Sequence, residues 1–318
     1  MRRYAVRMNA LKFCMAWLVL AGPTWLYGKT LDLSGYTDTS GAITVVRQGD
    51  SVDPYFALQA LLLAQEAGLD MNGLDVNLAH WLAVRFQADG QFNRYCRSSV
   101  GWSTCQPTDA DDAVLALWLR FVERLHAAHL TSIVEPPLLA RANRELVQLR
   151  QTRSGIYNIA WHMKHALFMD NLEVWSQRPS EALARSIQNV FWDKSRQRYK
   201  VSTQPGHRER ESDFYPSITA QIYPLWVSFP LVPGGTNAHY KRWMGQHRAL
   251  WLAQMRNDYP WGLIALIAHR QGDTNSVRCW QAGLQKHRQA SRWTVTDEVI
   301  SQILPPLTDT PPLPEECQ

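Results

Sequence analysis

Apolar residues along this chain recur at helical rather than alternating spacing, and they do so in two distinct ways. Phe56 to Ala64 and Val114 to Leu119 are apolar on nearly every side, which belongs to helices enclosed by other elements. Pro136 to Gln151, Ser180 to Phe191, His239 to Met255 and Ser276 to Arg288 each carry one apolar stripe and one charged face. Enclosed helices alternating with amphipathic ones predict a ring of helical hairpins rather than a simple bundle, whose helices would be comparably amphipathic.

Six apolar runs follow an acidic or hydroxyl residue, the usual mark of a helix N-terminus. The starts are Ser51-Val52-Asp53, Asp109-Ala110-Asp111-Asp112, Asp170-Asn171-Leu172-Glu173, Ser212-Asp213-Phe214-Tyr215, Asp258-Tyr259-Pro260-Trp261 and Thr296-Asp297-Glu298. If the first helix of each hairpin turns inward, all six N-termini reach one face and form a cleft. The third start has two readings. Either Gly155 to Phe168 is a helix that runs on through Asp170, or the helix restarts at Asp170 in the form of a capping box, and the restart is favoured. Ile43 to Gln48 and Tyr199 to Ser202 look extended, too little for a sheet.

Residues 1–28 are expected to be a leader. Arg2, Arg3, Arg7 and Lys12 form a basic start without acids, and Phe13 to Leu26 is apolar but short for a bilayer. Cleavage is expected near Gly28, with Ala21-Gly22 and an uncleaved anchor as alternatives. Removing this segment takes four of the 33 basic residues and none of the 28 acidic ones, so the mature chain is close to neutral. Its Lys and Arg are interleaved with acids, which argues against a nucleic-acid partner. In an exported chain Cys96 and Cys105 are expected to form a disulfide, holding the loop of Trp102 against the acidic turn at Asp109. Cys279 and Cys317 either pair or stay reduced. Residues 29–304 are read as one domain, and the prolines after Leu304 as an extended, mobile tail over 305–318.

Phe168-Met169-Asp170-Asn171-Leu172-Glu173-Val174-Trp175, Asp193 to Tyr199, Tyr215-Pro216-Ser217-Ile218-Thr219-Ala220 to Pro224, and Tyr259-Pro260-Trp261-Gly262-Leu263 to Leu266 resemble the (α/α)6 six-hairpin glycosidase superfamily over roughly residues 50 to 300. The resemblance implies an all-α toroid with a carbohydrate site at one end and, commonly, acidic catalysis. The hairpins are short for the superfamily, and the matched motifs carry no clear pair of glutamates.

Hydrolysis of a glycosidic bond needs one carboxyl to protonate the leaving oxygen and a second to activate water or attack the sugar. Asp111 and Asp112, with Asp170 and Asp213, are the candidate catalytic acids; for each, a helix cap is the bland alternative. Asp109, Asn171 and Glu173 are candidate polar contacts to sugar. Trp102, Tyr157, Tyr215 and Trp261 are candidate aromatic faces for pyranose rings, with Trp161 a weaker one, whereas Trp118, Trp226 and Trp251 read as core. His126 with His129 and His162 with His165 are spaced i,i+3, but no His-Glu-x-x-His motif accompanies them and no metal is assigned. Nucleophile-elbow, phosphate-loop and dinucleotide motifs are lacking.

The leading expectation is therefore an exported glycoside hydrolase, periplasmic or secreted, that acts on a poly- or oligosaccharide without a cofactor and meets a membrane only through an uncleaved leader. A non-catalytic carbohydrate-binding or exopolysaccharide-assembly component with the same fold is the alternative. A lyase using Tyr215 as base and Arg210 as cation is a third.

Overall fold

The computed structural model describes residues 29–128, 134–207, 209–256, 259–288, 292–307, 312–313 and 317. The leader therefore lies outside the described residues, as do Asp258, His129, Arg208, Pro311 and Pro314. The described residues are mostly helical. Helices α1 (Pro54–Glu66), α2 (Leu74–Ala83), α3 (Asp111–Ala127), α4 (Pro136–Leu149), α5 (Phe168–Gln177), α6 (Glu181–Phe191), α7 (Thr219–Trp226), α8 (Thr236–Gln254), α9 (Gly262–Arg270), α10 (Thr274–His287) and α11 (Val295–Ile303) follow in order. The strands are β1 (Ser51–Val52), β2 (Asn93–Ser98), β3 (Gly101–Pro107), β4 (Trp192–Asp193) and β5 (Arg198–Tyr199). None of these helices is long and apolar enough to cross a membrane.

The odd-numbered helices contact one another in sequence: α1 packs on α3, α3 on α5, α5 on α7, α7 on α9 and α9 on α11, and α11 returns to α1. The even-numbered helices lie against this series, α4 on α3, α6 on α5, α8 on α7 and α10 on α9. The division follows from side-chain chemistry. Helix α1 buries Ala57 through Ala64 without a break and α3 buries Asp111 through Leu119, because other helices cover them on several sides. Helix α6 buries only Leu183, Ala184, Ile187 and Phe191, a single stripe at 3–4 residue spacing. Trp118, Trp251, Trp280 and Trp293 are fully buried and Trp226 nearly so.

Helix entries are set by their caps. Asp53 caps α1 by accepting from Tyr55 N at 3.0 Å, ahead of Pro54 at the first helical position. Thr294 and Asp297 make a reciprocal capping box at α11. In the third hairpin, 155–167 is irregular and α5 begins at Phe168, two residues before the expected restart, with Leu167 in the cap position. Asp170 thus lies in the first turn of α5, and the Asp170-Glu173 pair forms no capping box.

The chain between Asn93 and Pro107 is not a loop but an antiparallel hairpin of β2 and β3, with β1 on its other edge. Its alternation is weak because both strands are mostly polar. A Cys96–Cys105 disulfide joins β2 to β3, with Cα atoms 5.7 Å apart. Trp102, however, turns away from Asp109: its indole donates to Asp38 at 2.7 Å, its edge meets Trp81, and Arg97 lies over its ring at 4.4 Å. Replacing both cysteines by serine is expected to lower unfolding free energy by about 2–3 kcal/mol, measurable by urea denaturation under non-reducing conditions.

A second disulfide joins Cys279 of α10 to Cys317. Two further tethers act on the proline-rich segment: Gln281 donates to Pro305 O at 2.6 Å and Arg278 to Pro312 O at 3.2 Å. At its described residues, then, the segment expected to be a free tail is tied to α10. Ile43 to Gln48 makes isolated bridges only, including Val46 with Thr294, and Tyr199 pairs with Trp192 in the short β4–β5 hairpin.

Candidate functional site

The N-terminal ends of several odd-numbered helices border a cleft of about 340 Å³. Its acids are Asp53, Asp109, Asp170, Glu173 and Asp297. Phe56, Tyr215, Tyr259 and Trp261 supply aromatic surface, and Arg94 reaches in from β2.

Backbone geometry places the aromatic wall. Trp261 takes φ 52° and ψ 48° immediately before α9, and Asp297 Oδ1 accepts from Gly262 N at 2.7 Å, pinning that helix start. Tyr215 is extended, at φ −113° and ψ 133°, within the wide turn Phe214–Ile218 that leads into α7, and its peptide bond to Pro216 is cis. The Tyr215 ring stacks on Trp261 at 5.2 Å between centroids and 28° between planes. Tyr259 meets Trp261 edge-on, and Tyr215 is 56% exposed, so the stacked pair offers a face to solvent. A Cβ on Gly262 would come within 2.8 Å of Asp297 Oδ1 and of the Trp280 ring. Gly262→Ala should therefore cost about 1–3 kcal/mol by overpacking, read as a lower thermal midpoint.

Arg94 bridges two of the acids. Its Nε lies 2.6 Å from Asp53 Oδ2, and its Nη2 pairs with Asp109. Burial pushes the Asp53 carboxyl above its usual range, against the pull of Arg94. Asp109 sits just outside α3, on the rim, with a side chain 77% exposed.

Asp170 and Glu173 form the floor. Burial, with the negative charge of Asp109 next, raises Asp170 to about 7, and its Oδ2 is shielded from solvent without a hydrogen-bond partner. Glu173 lies three residues on, on the same face of α5, and accepts from the hydroxyls of Tyr55 and Tyr223. Burial, reinforced by Asp170, raises Glu173 to about 8 in spite of those two hydrogen bonds. Burial likewise raises Asp297 to about 6. The floor carboxyls of Asp170 and Glu173 thus hold protons to far higher pH than ordinary carboxyls, beside an Asp109 side chain paired with Arg94.

The structure brings together Asp109, Asp170, Glu173, Tyr215 and Trp261, and leaves the other sequence candidates elsewhere. Asp111 is buried, accepts from Thr108 Oγ1 at 2.9 Å, and has its amide bonded to Ile159 O. Asp112 is fully buried in the first turn of α3, with both carboxyl oxygens unpartnered. Burial, then the charge of Asp170, holds its carboxyl well above the usual range. Neither lines the cleft, because α3 starts at Asp111 and turns both side chains into its packing. Asp213 is exposed outside the cleft, since the wide turn at Phe214–Ile218 comes between it and α7.

Asn171 is fully buried and spends its amide on backbone, accepting from Tyr157 N at 2.7 Å and donating to Tyr157 O and Leu167 O. That fixes Tyr157 against the core, outside the cleft. Trp102 is held at Asp38 instead, and Trp161 is 63% exposed beside His162. Among the described residues, no group of three or more His, Cys, Asp or Glu is placed to hold a metal ion.

Sequence reasoning missed Asp53, Asp297, Arg94, Tyr55 and Tyr223 as cleft residues. Asp53 and Asp297 stood in two of the six helix starts and were open to the same argument as Asp170. For Arg94 and the two tyrosines no sequence signal existed, because their place depends on which strands and helices meet. Comparison of the chain with known protein families, characterised proteins and solved structures finds no match.

Proposed function

We propose that this chain is an exported carbohydrate-active protein of the (α/α)6 toroid type, a glycoside hydrolase acting on a polysaccharide or oligosaccharide through carboxyl groups. Support for the toroid comes from the cyclic contacts of the six odd-numbered helices, with the even-numbered helices outside them. Export is supported by the two disulfides. The observation that carries the reading is Asp170. It is an acid raised to about 7, in the floor of a cleft whose wall is an exposed Tyr215–Trp261 stack.

In the proposed chemistry a sugar ring lies with its C–H face on the Tyr215–Trp261 stack. Asp170 donates its proton to the glycosidic oxygen as the bond to the anomeric carbon breaks. Water attacks that carbon and gives its proton to Asp109, the rim carboxylate whose charge helps Asp170 retain its own proton. Glu173, held by two tyrosines, is a positioning residue that keeps α5 and the floor in register. Asp112, fully buried and walled off from the cleft, plays no part in proton transfer.

Incubation of the purified protein with a panel of bacterial and plant polysaccharides tests this reading. New reducing ends without unsaturated products support hydrolysis. Binding of sugar without cleavage of any substrate moves the protein to the carbohydrate-binding or assembly alternative, in which the same aromatic wall serves recognition alone.

A further inference from the structure

We infer that Trp161 is a second sugar platform, outside the cleft and across Asp170 from the Tyr215–Trp261 stack, so that the site takes an internal stretch of a polysaccharide chain. The inference rests on the carbohydrate reading above and narrows its ligand to a polymer.

The first ground is where exposed aromatic surface lies. Among the described residues, the exposed aromatic side chains are Trp161, Tyr215 and Tyr259, whereas other tryptophans, Trp118 and Trp280 among them, are fully buried. Tyr215 and Tyr259 line the cleft. Trp161 keeps a large flat face in water that a pyranose ring would cover.

The second ground is the loop that carries it. Ile159 O accepts from Asp111 N at 2.9 Å and Ile159 N donates to His165 O at 3.0 Å, so residues 160–164 form a short loop, closed at its base and fixed to the first residue of α3. Ala110, the residue before that start, lines the cleft, as does Asp170 in the first turn of α5. The loop therefore stands on the face that holds the cleft. Its tip is braced, because Lys164 Nζ donates to Trp161 O at 2.7 Å and the His162 ring meets the indole edge-on at 5.5 Å. A braced ring loses little freedom when a ligand stacks on it.

The third ground is order around the ring of helices. The contacts run from α3 to α5, α7 and α9. Trp161 is tied to the entry of α3, Asp170 stands at that of α5, and Tyr215 and Trp261 stand at those of α7 and α9. A chain resting on both platforms thus crosses Asp170, with sugar units on either side. Water adds across the glycosidic bond as proposed above, but the bond is an internal one.

Affinity electrophoresis of the mature protein in gels containing hydroxyethylcellulose, xylan, laminarin or galactomannan tests the inference, with Trp161→Ala run beside the wild type. Replacing an exposed side chain should leave the thermal midpoint unchanged. The dissociation constant for the polymer that retards the wild type should rise roughly tenfold, the usual effect of truncating one aromatic anchor. Affinity for the matching disaccharide, which occupies one platform, should not change. Where that polymer is cleaved, its viscosity should collapse before many reducing ends accumulate. Unchanged polymer binding in Trp161→Ala, equal loss for polymer and disaccharide, or trimming of chain ends at sustained viscosity would overturn the inference and leave the carbohydrate reading in place. Retardation by none of the polymers would overturn the two together.

Discussion

Asp170→Asn should fold normally and lose turnover by about 10²–10⁴-fold, the usual contribution of a positioned general acid. Asn matches the shape of Asp170 but has no proton of suitable acidity, so the loss should fall on kcat, with substrate affinity changed little. In the wild type, activity should decline as pH rises through about 7, where Asp170 gives up its proton. Asp112→Asn provides the contrast. Asp112 is equally acidic in type and sits close enough for its carboxyl to feel the charge of Asp170, but it is fully buried and does not face the cleft. That variant should retain turnover within a few-fold. Loss of activity in Asp112→Asn with retention in Asp170→Asn would reverse the two assignments.

Stability should fall as pH rises from about 4 to about 8, opposite to the behaviour of a protein whose carboxylates are held by salt bridges. Unfolded, Asp170, Asp297 and Glu173 titrate near the ordinary values of 3.8, 3.8 and 4.5; folded, they titrate near 7, 6 and 8. Between those limits the folded chain binds more protons than the unfolded one. The stabilisation is complete below about pH 4 and is lost as pH climbs through the folded values. Asp170 and Glu173 contribute comparably, and the loss is on the order of several kcal/mol. In Glu173→Gln the amide oxygen can still accept from Tyr55 and Tyr223 but has no charge to bury, so this variant should lose less stability by pH 8 than the wild type. Urea unfolding at a series of pH values reads both effects. A wild type that grows more stable toward pH 8 would contradict the account of the floor.

The helical architecture was legible in sequence because burial on all sides writes itself as an uninterrupted apolar run, as in Phe56 to Ala64 of α1. Burial on one side writes a stripe, as in α6. The direction of an acidic side chain at a helix start was not legible. Asp109, Asp111 and Asp112 are within four residues of each other, but each residue turns the helix by about 100°, and the true start at Asp111 leaves Asp109 on the rim and sends the other two inward. A shift of one residue in that start would exchange their roles. Asp213 and Tyr215 show the same sensitivity: the extended Tyr215 lets its ring join the cleft while Asp213 goes to solvent. The β2–β3 hairpin was hidden because its polar strands lack a two-residue rhythm, and with it was hidden Arg94. The disulfide across it was legible, since two cysteines nine residues apart have few other uses in a chain whose basic and apolar start reads as a leader.

The most direct test of the central claim is hydrolysis of candidate polysaccharides in ¹⁸O-labelled water, with the products weighed by mass spectrometry. Hydrolysis at Asp170 predicts oligosaccharides whose new reducing ends carry one ¹⁸O each, formed by the wild type and lost in Asp170→Asn. Unsaturated products without the label would indicate a lyase, and intact chains recovered from a protein that binds them would indicate a binding module. Either result would contradict hydrolysis at Asp170.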